Sequence, residues 1–400
     1  MTTFAAFHQA IRVDFRYGVY FTEDVFALNN SLLSGIVAED GGYLPRKILV
    51  VVDHGLYRCH PHLLENITDY LEYYPDQVQL ACPPLLVPGG ERVKNEATAV
   101  SLVHRAIHQA NLCRHSYVLA VGGGAVIDMT GYAAATAHRG LRLIRIPTTV
   151  MAQADAAIGV KNGINAFGKK NFLGTFAPPR AVLNDCAFLT TLSGRDWLSG
   201  VAEALKVALI KDAALFAFLE KSALALKNRD MEVMQRVIRR SAALHLEHIA
   251  TGGDPFEFGS SRPLDFGHWA AHKLEQLSLF DLRHGEAVAI GIALDATYSH
   301  LIGRLPLGPW RRILALLDRL GLPRWTPALA DVRAVLSGLQ EFREHLGGRL
   351  TIMLLAGIGH PVEVHELEPE VVKAAIVLLE RRQSGGARKP AAASLTAGPV

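Results

Sequence analysis

The stretch Asp265 to Gly291, DFGHWAAHKLEQLSLFDLRHGEAVAIG, carries three histidines, His268, His272 and His284, in a pattern otherwise built like helix. A buried imidazole needs partners for its nitrogens, and a metal, a phosphate or a proton-transfer task would each supply them. His268 and His272 are four apart and share a helix face, and His284 comes sixteen residues after His268. Two histidine nitrogens and one carboxylate oxygen form a common catalytic zinc set that leaves coordination positions open. A carboxylate is on offer in SGVAEALKVALI, where Glu203 and Lys206 stand three apart among small apolar residues. The same spacing describes an ordinary surface pair. Spacing alone leaves open which histidines bind and which carboxylate completes the set. His245 and His248 read as polar helix residues without a catalytic role.

A second constellation lies upstream. VGGGAVIDMTG follows a strand-like run and opens a helical one, so Gly122, Gly123 and Gly124 let backbone approach a ligand at the positive end of a helix. That suits a pyrophosphate, although a tight strand-to-helix turn also needs glycine on steric grounds alone. Asp53 ends the apolar run KILVVVD, where a carboxylate can accept bonds from ribose hydroxyls. Glu91 and Lys94 follow the glycine turn of PGGERVK, and Thr148 and Thr149 end a further run, IPTTV. Singly these are turns or caps. Together, at the carboxyl ends of strands, they point to one crevice. MAQADAAIGVKNGINAFGKKNFLGTF then carries Asp155, Lys161, Asn165, Lys169, Lys170 and Asn171. It reads either as a solvated loop or as the wall of a partly closed site for an anion.

The elements that must position these groups follow from patterning. Short apolar runs alternating with amphipathic ones predict an α/β layer with a largely parallel sheet over residues 1–185. Long helical patterns predict a mainly α-helical domain over 186–385, and the Ala/Gly/Pro/Ser-rich end, 386–400, reads as a flexible tail. Four hundred residues, half of them apolar, exclude a disordered chain. A net charge of +3 without a basic, aromatic-interleaved stripe argues against nucleic acid as a partner. The N-terminus lacks a signal-peptide pattern, and the apolar runs are too short to span a bilayer. Four scattered cysteines, Cys59, Cys82, Cys113 and Cys186, fit free thiols in a reducing cytoplasm.

The ordered series GGE..K, GGGAVID, RG, PTT, AQADAAIGVK, GKKNFLGTF, GVAEALK, FGHWAAH and RHGEAVAIG resembles the 3-dehydroquinate synthase family of sugar-phosphate cyclases, from about residue 45 to 360. The resemblance implies a Rossmann-like NAD-binding domain, a helical metal-binding domain, an active site between them and a homodimer. It implies zinc or cobalt on Glu203, His268 and His284, with His272 near the leaving phosphate of a phosphorylated sugar. Arg139, Lys161 and Asn171 would grip phosphate or substrate oxygens, and Asp155, Lys170 and Lys206 would line the substrate. NAD would lie against Asp53, Glu91, Lys94, Gly122, Gly123, Gly124, Asp128, Thr148, Thr149, Lys161, Lys170 and the segment Phe188 to Thr191. The implied chemistry is that of a carbon–oxygen lyase: reversible hydride transfer to NAD, β-elimination of phosphate and an intramolecular aldol closure.

Three departures bear on the substrate. Where dehydroquinate-forming enzymes have arginine seven residues before the first histidine, this chain has Ser261, with Arg262 beside it. Asp265 replaces the asparagine three before that histidine. FREHLGGRL stands in place of a DKK motif near the C-terminal strand. The segment around DPFEFGSSRPLDFGH resembles cyclases that accept sedoheptulose 7-phosphate. Competing expectations are a metal-dependent polyol dehydrogenase that releases NADH, and a non-catalytic ligand-binding relative.

Overall fold

A computed structural model describes residues 7–386 except 43–44, 253, 257, 259–262 and 347. Ser261, Arg262 and the tail from residue 387 lie outside the described residues. The strands are β1 (Gly18–Thr22), β2 (Arg46–Asp53), β3 (Val78–Leu80), β4 (Leu85–Val87), β5 (Tyr117–Gly122), β6 (Arg142–Pro147), β7 (Lys161–Ala166), β8 (Lys169–Phe176), β9 (Ala181–Asp185), β10 (Ile352–Gly357) and β11 (His360–Val364). The helices are α1 (Leu32–Glu39), α2 (His54–Cys59), α3 (Leu63–Tyr73), α4 (Arg92–Asn95), α5 (Ala97–Gln109), α6 (Gly124–Thr136), α7 (Gly194–Lys211), α8 (Ala213–Lys227), α9 (Met231–Thr251), α10 (His268–Leu277), α11 (His284–Leu301), α12 (Leu307–Leu320), α13 (Val332–His345) and α14 (Pro369–Gly386).

Seven parallel strands form one sheet in the order β1-β9-β6-β5-β2-β3, with β4 also on β2. The central strands LVVV of β2 and YVLAVG of β5 are wholly buried, because helices cover both faces of a parallel sheet. VQLACPPLLVP yields two short strands rather than one, since Pro83 and Pro84 between them cannot donate to a ladder. From β2 the chain moves outward to β3 and β4, then returns to β5 on the other side of β2. The direction of winding therefore reverses between β2 and β5, and a crevice opens at their carboxyl ends, at Asp53 and Gly122.

The polar run after β6 is not a plain loop. Ala152–Ala156 makes one π-helical turn, and β7 and β8 form an antiparallel hairpin, whose alternation the interspersed Gly, Lys and Asn obscure. Beyond β9 the elements among the described residues are helical except for the β10–β11 hairpin. The long helical pattern from Trp197 to Lys227 breaks at Asp212, whose carboxylate accepts from Ala214 N at 2.9 Å and Leu215 N at 3.0 Å to start α8. Helices α7 and α11 are buried nearly all round and form the centre of this half. They touch backbone to backbone at Gly285: a Cβ there would lie 1.9 Å from Ser199 O. That approach sets His284 beside Glu203. Among the described residues no helix is long and apolar enough to cross a membrane.

Candidate active site

Three helices converge on one centre. α7 supplies Glu203 and Lys206, α10 supplies His268 and His272, and α11 begins at His284. Gly267, left-handed at φ 78°, turns the chain into α10, and its N–H donates to Asp295 Oδ2 at 3.1 Å. The Nε2 atoms of His268 and His284 lie 3.7 and 3.3 Å from the same Glu203 oxygen, Oε1. The two rings are turned this way by their other nitrogens. His268 Nδ1 is 3.3 Å from Phe266 O, and His284 Nδ1 is 3.0 Å from Glu275 Oε2.

Glu203 is fully buried, and neither of its oxygens accepts an aligned hydrogen bond, although Lys206 Nζ stands 2.6 Å from Oε2. Burial alone would push its carboxyl up; Lys206, His284 and His268 outweigh that and hold it down at about 2. Burial likewise disfavours the Lys206 cation, but Asp155 and Glu203 keep it protonated, with Asp265 adding to the effect. Burial lowers His268 and His272, His272 to well below the ordinary value; by contrast His284, pulled by Glu275 and Glu203 against its own burial, rises to about 9. An anionic buried carboxylate facing two imidazole nitrogens suits a divalent cation. The nitrogens of His268, His272 and His284 also lie within 4.8 Å of one another, so a three-histidine set is geometrically open too.

Asp155 reaches this centre from the π-helical turn, 3.7 Å from Lys206 Nζ. Its other partner is His245 on α9, with Nδ1 2.7 Å from Asp155 Oδ1. His245 thus joins the site, contrary to the expectation of an idle polar helix residue. Nothing in the sequence pairs it with a residue 90 positions earlier. The segment carrying Asp155 and Lys161 is tied down by Arg145, a fully buried cation on β6. Its Nη1 donates to Ala157 O at 2.8 Å and Gly159 O at 2.5 Å, and its Nη2 to Lys161 O at 3.2 Å and Asn162 Oδ1 at 2.8 Å. Burial lowers its pKa to about 10.

The hairpin and the cofactor crevice are linked. Lys170 Nζ lies 2.9 and 3.1 Å from the two oxygens of Glu275 and 3.7 Å from Glu91. Glu91 also accepts from Asn165 Nδ2 at 2.9 Å. Buried Lys94 pairs with Asp128 at 2.8 Å and contacts Asn171. At the crevice Asp53 caps α2, accepting from Gly55 N at 2.7 Å, and also faces the Gly123 N–H. A Cβ at Gly122 would sit 3.0 Å from the Cβ atoms of Asp53 and Val126, so the turn needs its glycine. Thr148 N donates to Gly122 O at 3.0 Å, and Thr149 Oγ1 accepts from Ala152 N at 3.2 Å. Phe188 is buried with His60 edge-on at 5.5 Å, and His60 Nε2 is 2.9 Å from Thr191 Oγ1. Lys161 opens β7 at an exposed position.

Arg139 stands apart. It follows the C-terminal end of α6, a 13-residue helix about 20 Å long, while the glycine turn is at the other end. There it lines a cavity of about 290 Å³ with Thr175, Phe176 and Pro178.

The sequence matches the models for the 3-dehydroquinate synthase N-terminal domain over residues 84–199 and C-terminal domain over 200–342. The chain belongs to the 3-dehydroquinate synthase family. Within it, the chain is 35% identical over 379 residues to 2-epi-5-epi-valiolone synthase of Streptomyces glaucescens, covering 92% of each chain. It is 41% identical over 264 residues to 3-dehydroquinate synthase of a Geobacter species, covering 66% of this chain and 70% of that one. The structure is similar to 2-epi-5-epi-valiolone synthase of Streptomyces hygroscopicus subsp. jinggangensis with NAD+ and Zn2+ bound. That likeness has a TM-score of 0.84 at 31% identity and covers 94% of this chain and all of that one. The α/β half and the helical half described above are those of the family.

Proposed function

We propose that this chain is an NAD- and divalent-metal-dependent sugar-phosphate cyclase, a carbon–oxygen lyase that releases phosphate from a ketose phosphate and closes a carbocycle. The observation that carries this reading is Glu203: a buried carboxylate without an aligned donor, facing two oriented imidazole nitrogens across from a nucleotide crevice. The ligands are Glu203, His268 and His284, and zinc or cobalt suits that N/O set. His272 faces the substrate phosphate instead, because its place four residues after His268 puts it beside the set while Glu203 reaches the other two rings. The bound metal supplies Lewis acidity to a ring hydroxyl and its ketone, and NAD+ supplies reversible uptake of hydride.

The chain's own groups do the rest. Lys206 and Asp155 hold opposite fixed charges beside the ligands and orient substrate hydroxyls. Lys161 and Lys170 neutralise phosphate charge from the hairpin, Asn171 donates to phosphate oxygens, and the packed helices exclude water. The crevice bounded by Asp53, Glu91, Lys94, the Gly122–Gly124 turn, Asp128, Thr148, Thr149, Phe188 and Thr191 receives NAD. Arg139 lies beside the end of β8, a helix length from its own glycine turn, and we propose that it grips phosphate within a homodimer. Sedimentation showing a single-chain mass at working concentration would end that part of the reading. The four free thiols suit a cytoplasmic enzyme.

The substrate we propose is a heptulose 7-phosphate rather than the carboxylate-bearing precursor of dehydroquinate. Asp265, close enough to Lys206 to support its charge, would repel a substrate carboxylate and accept bonds from hydroxyls. The long match to 2-epi-5-epi-valiolone synthases points the same way. Losing a charged hydrogen bond costs on the order of 1.5–3 kcal/mol, so the neutral-headed sugar is expected to win in kcat/KM by roughly tenfold to a hundredfold. The test is phosphate release from both sugars under the same metal and NAD+, with products identified by mass spectrometry. NADH accumulating in step with substrate loss would turn the assignment to a polyol dehydrogenase. A preference for the carboxylate sugar, lost in Arg262→Ala, would return it to dehydroquinate synthesis.

A further inference from the structure

Glu275 has no part in the substrate or cofactor contacts above, yet it is a buried carboxylate at the joint of the two halves, 3% exposed. It lies on α10 three residues after His272 and seven after His268, on the same helix face. Its Oε2 is 3.0 Å from His284 Nδ1, and both its oxygens lie within 3.1 Å of Lys170 Nζ. Lys170 stands on β8, in the hairpin that also bears Lys161 and Asn171, and reaches on to Glu91 at 3.7 Å. A chain of alternating charge, Glu91–Lys170–Glu275–His284, thus runs from the cofactor crevice to the metal ligands. In the neutral ring that a metal requires, Nδ1–H donating to Glu275 leaves the lone pair on Nε2, the nitrogen that lies 3.3 Å from Glu203 Oε1.

Resting on the metal site proposed above, we infer that Glu275 is a positioning residue: it fixes the metal-binding tautomer and ring orientation of His284, and through Lys170 it makes metal retention depend on the β7–β8 hairpin. Among the described residues Lys170 pairs with Glu275 and Glu91 and not with Glu203, His268 or His284, so an effect of Lys170 on metal affinity would have to pass through Glu275.

The experiment measures zinc affinity of the full-length protein by competition with a chromogenic chelator, and the visible absorption of the cobalt-loaded form. Removal of such an outer partner costs metal affinity about 10- to 100-fold. Glu275→Gln is therefore expected to raise the zinc Kd by that factor and shift the cobalt bands. Lys170→Met is expected to raise the zinc Kd severalfold with Glu203, His268 and His284 intact. A Kd within twofold of wild type and unchanged bands in Glu275→Gln would overturn the positioning role. Should that variant fail to fold, Lys170→Met decides alone: an unaltered Kd there overturns the coupling. Wild-type protein that takes up no zinc or cobalt overturns the metal site itself, a different failure from a wild type that binds and a Glu275 variant that binds as well.

Discussion

Around Glu203 the chain gathers charge that it leaves incompletely paired, whereas around Asp53 and Lys94 the polar groups already have partners within the protein. Glu203 is at zero exposure with no aligned donor on either oxygen. Lys94, also buried, has Asp128 at 2.8 Å; Asp53 accepts from the backbone of Gly55 and faces that of Gly123. An ionised carboxylate is costly to bury without full compensation. The helical half holds such a group because Lys206 Nζ, 2.6 Å from Oε2, with His284 and His268, outweighs the burial and keeps it ionised. The crevice is made instead from backbone and from room: a glycine turn at a helix N-terminus, with side chains serving as caps. Substitutions on the two sides should therefore show in different measurements, metal content on one and nucleotide affinity with local stability on the other.

The largest expected effect separates the two histidine sets. With Glu203, His268 and His284 as ligands, His268→Ala should bind metal poorly and lose turnover by a thousandfold or more, on the order of the several kcal/mol that Lewis-acid stabilisation provides. His272→Ala should keep its metal while losing activity. Plasma emission analysis of both purified variants checks this; equal loss of metal from the two would favour the three-histidine set and reduce Glu203 to a neighbour.

Two carboxyls of the helical half sharpen the point further. Glu203 is held down by cations, but Asp295, also fully buried, has among the described residues only the neutral donors Trp269 Nε1 at 3.0 Å and Gly267 N at 3.1 Å. Burial accordingly raises it to about 7. For an acid whose folded pKa is raised, the native state keeps a proton that the unfolded chain releases. Stability therefore falls as pH climbs from about 4 to 7 and levels off above. Three pKa units correspond to at most about 4 kcal/mol. Urea unfolding of wild type and Asp295→Asn at pH 5 and 7.5 tests it. The wild type should lose more stability between the two pH values than the variant, and parallel behaviour would show that Asp295 does not titrate in this window.

Much of this was legible in the residues themselves. Strands buried on both faces announce themselves as unbroken runs such as ILVVV, Glu203 stands out among small apolar residues, and His268, His272 and His284 stand out as a cluster, although spacing leaves open which of them face Glu203. Gly267 and Gly285 flank the histidines because Ile292, Gly291 and Ser199 crowd them, a demand visible as FGH and HGE. Other features were hidden for physical reasons. Glu275 completes the i, i+4, i+7 row of α10, but its purpose depends on which nitrogen of His284 faces it. His245 and Arg145 act through contacts made only when α9 and β6 meet the turn after Met151. The β7–β8 hairpin carries Lys and Asn where a buried strand would carry Val. Arg139 follows the glycine turn closely in sequence, yet α6 lies between them and carries it to the far end.

The smallest expected effect falls on the cofactor side. Asp53 caps α2, and its position at the end of β2 is also the one from which we propose it meets a ribose. Serine is as good an N-cap as aspartate, so Asp53→Ser should change stability by less than about 0.5 kcal/mol. Serine is shorter and uncharged, so it gives up the reach toward Gly123 and any carboxylate bond to a ribose hydroxyl. If that bond forms, NAD+ affinity should fall by about tenfold, equivalent to about 1.4 kcal/mol, with metal content unchanged. Titration calorimetry with NAD+ and metal analysis on the same preparation make the comparison. Undiminished NAD+ affinity would mean that Asp53 is a cap alone and that the crevice holds its nucleotide through the Gly122–Gly124 backbone. A loss of metal would instead join the two regions that the geometry keeps apart at this point, since no contact of Asp53 described above leads to Glu203 or its imidazoles.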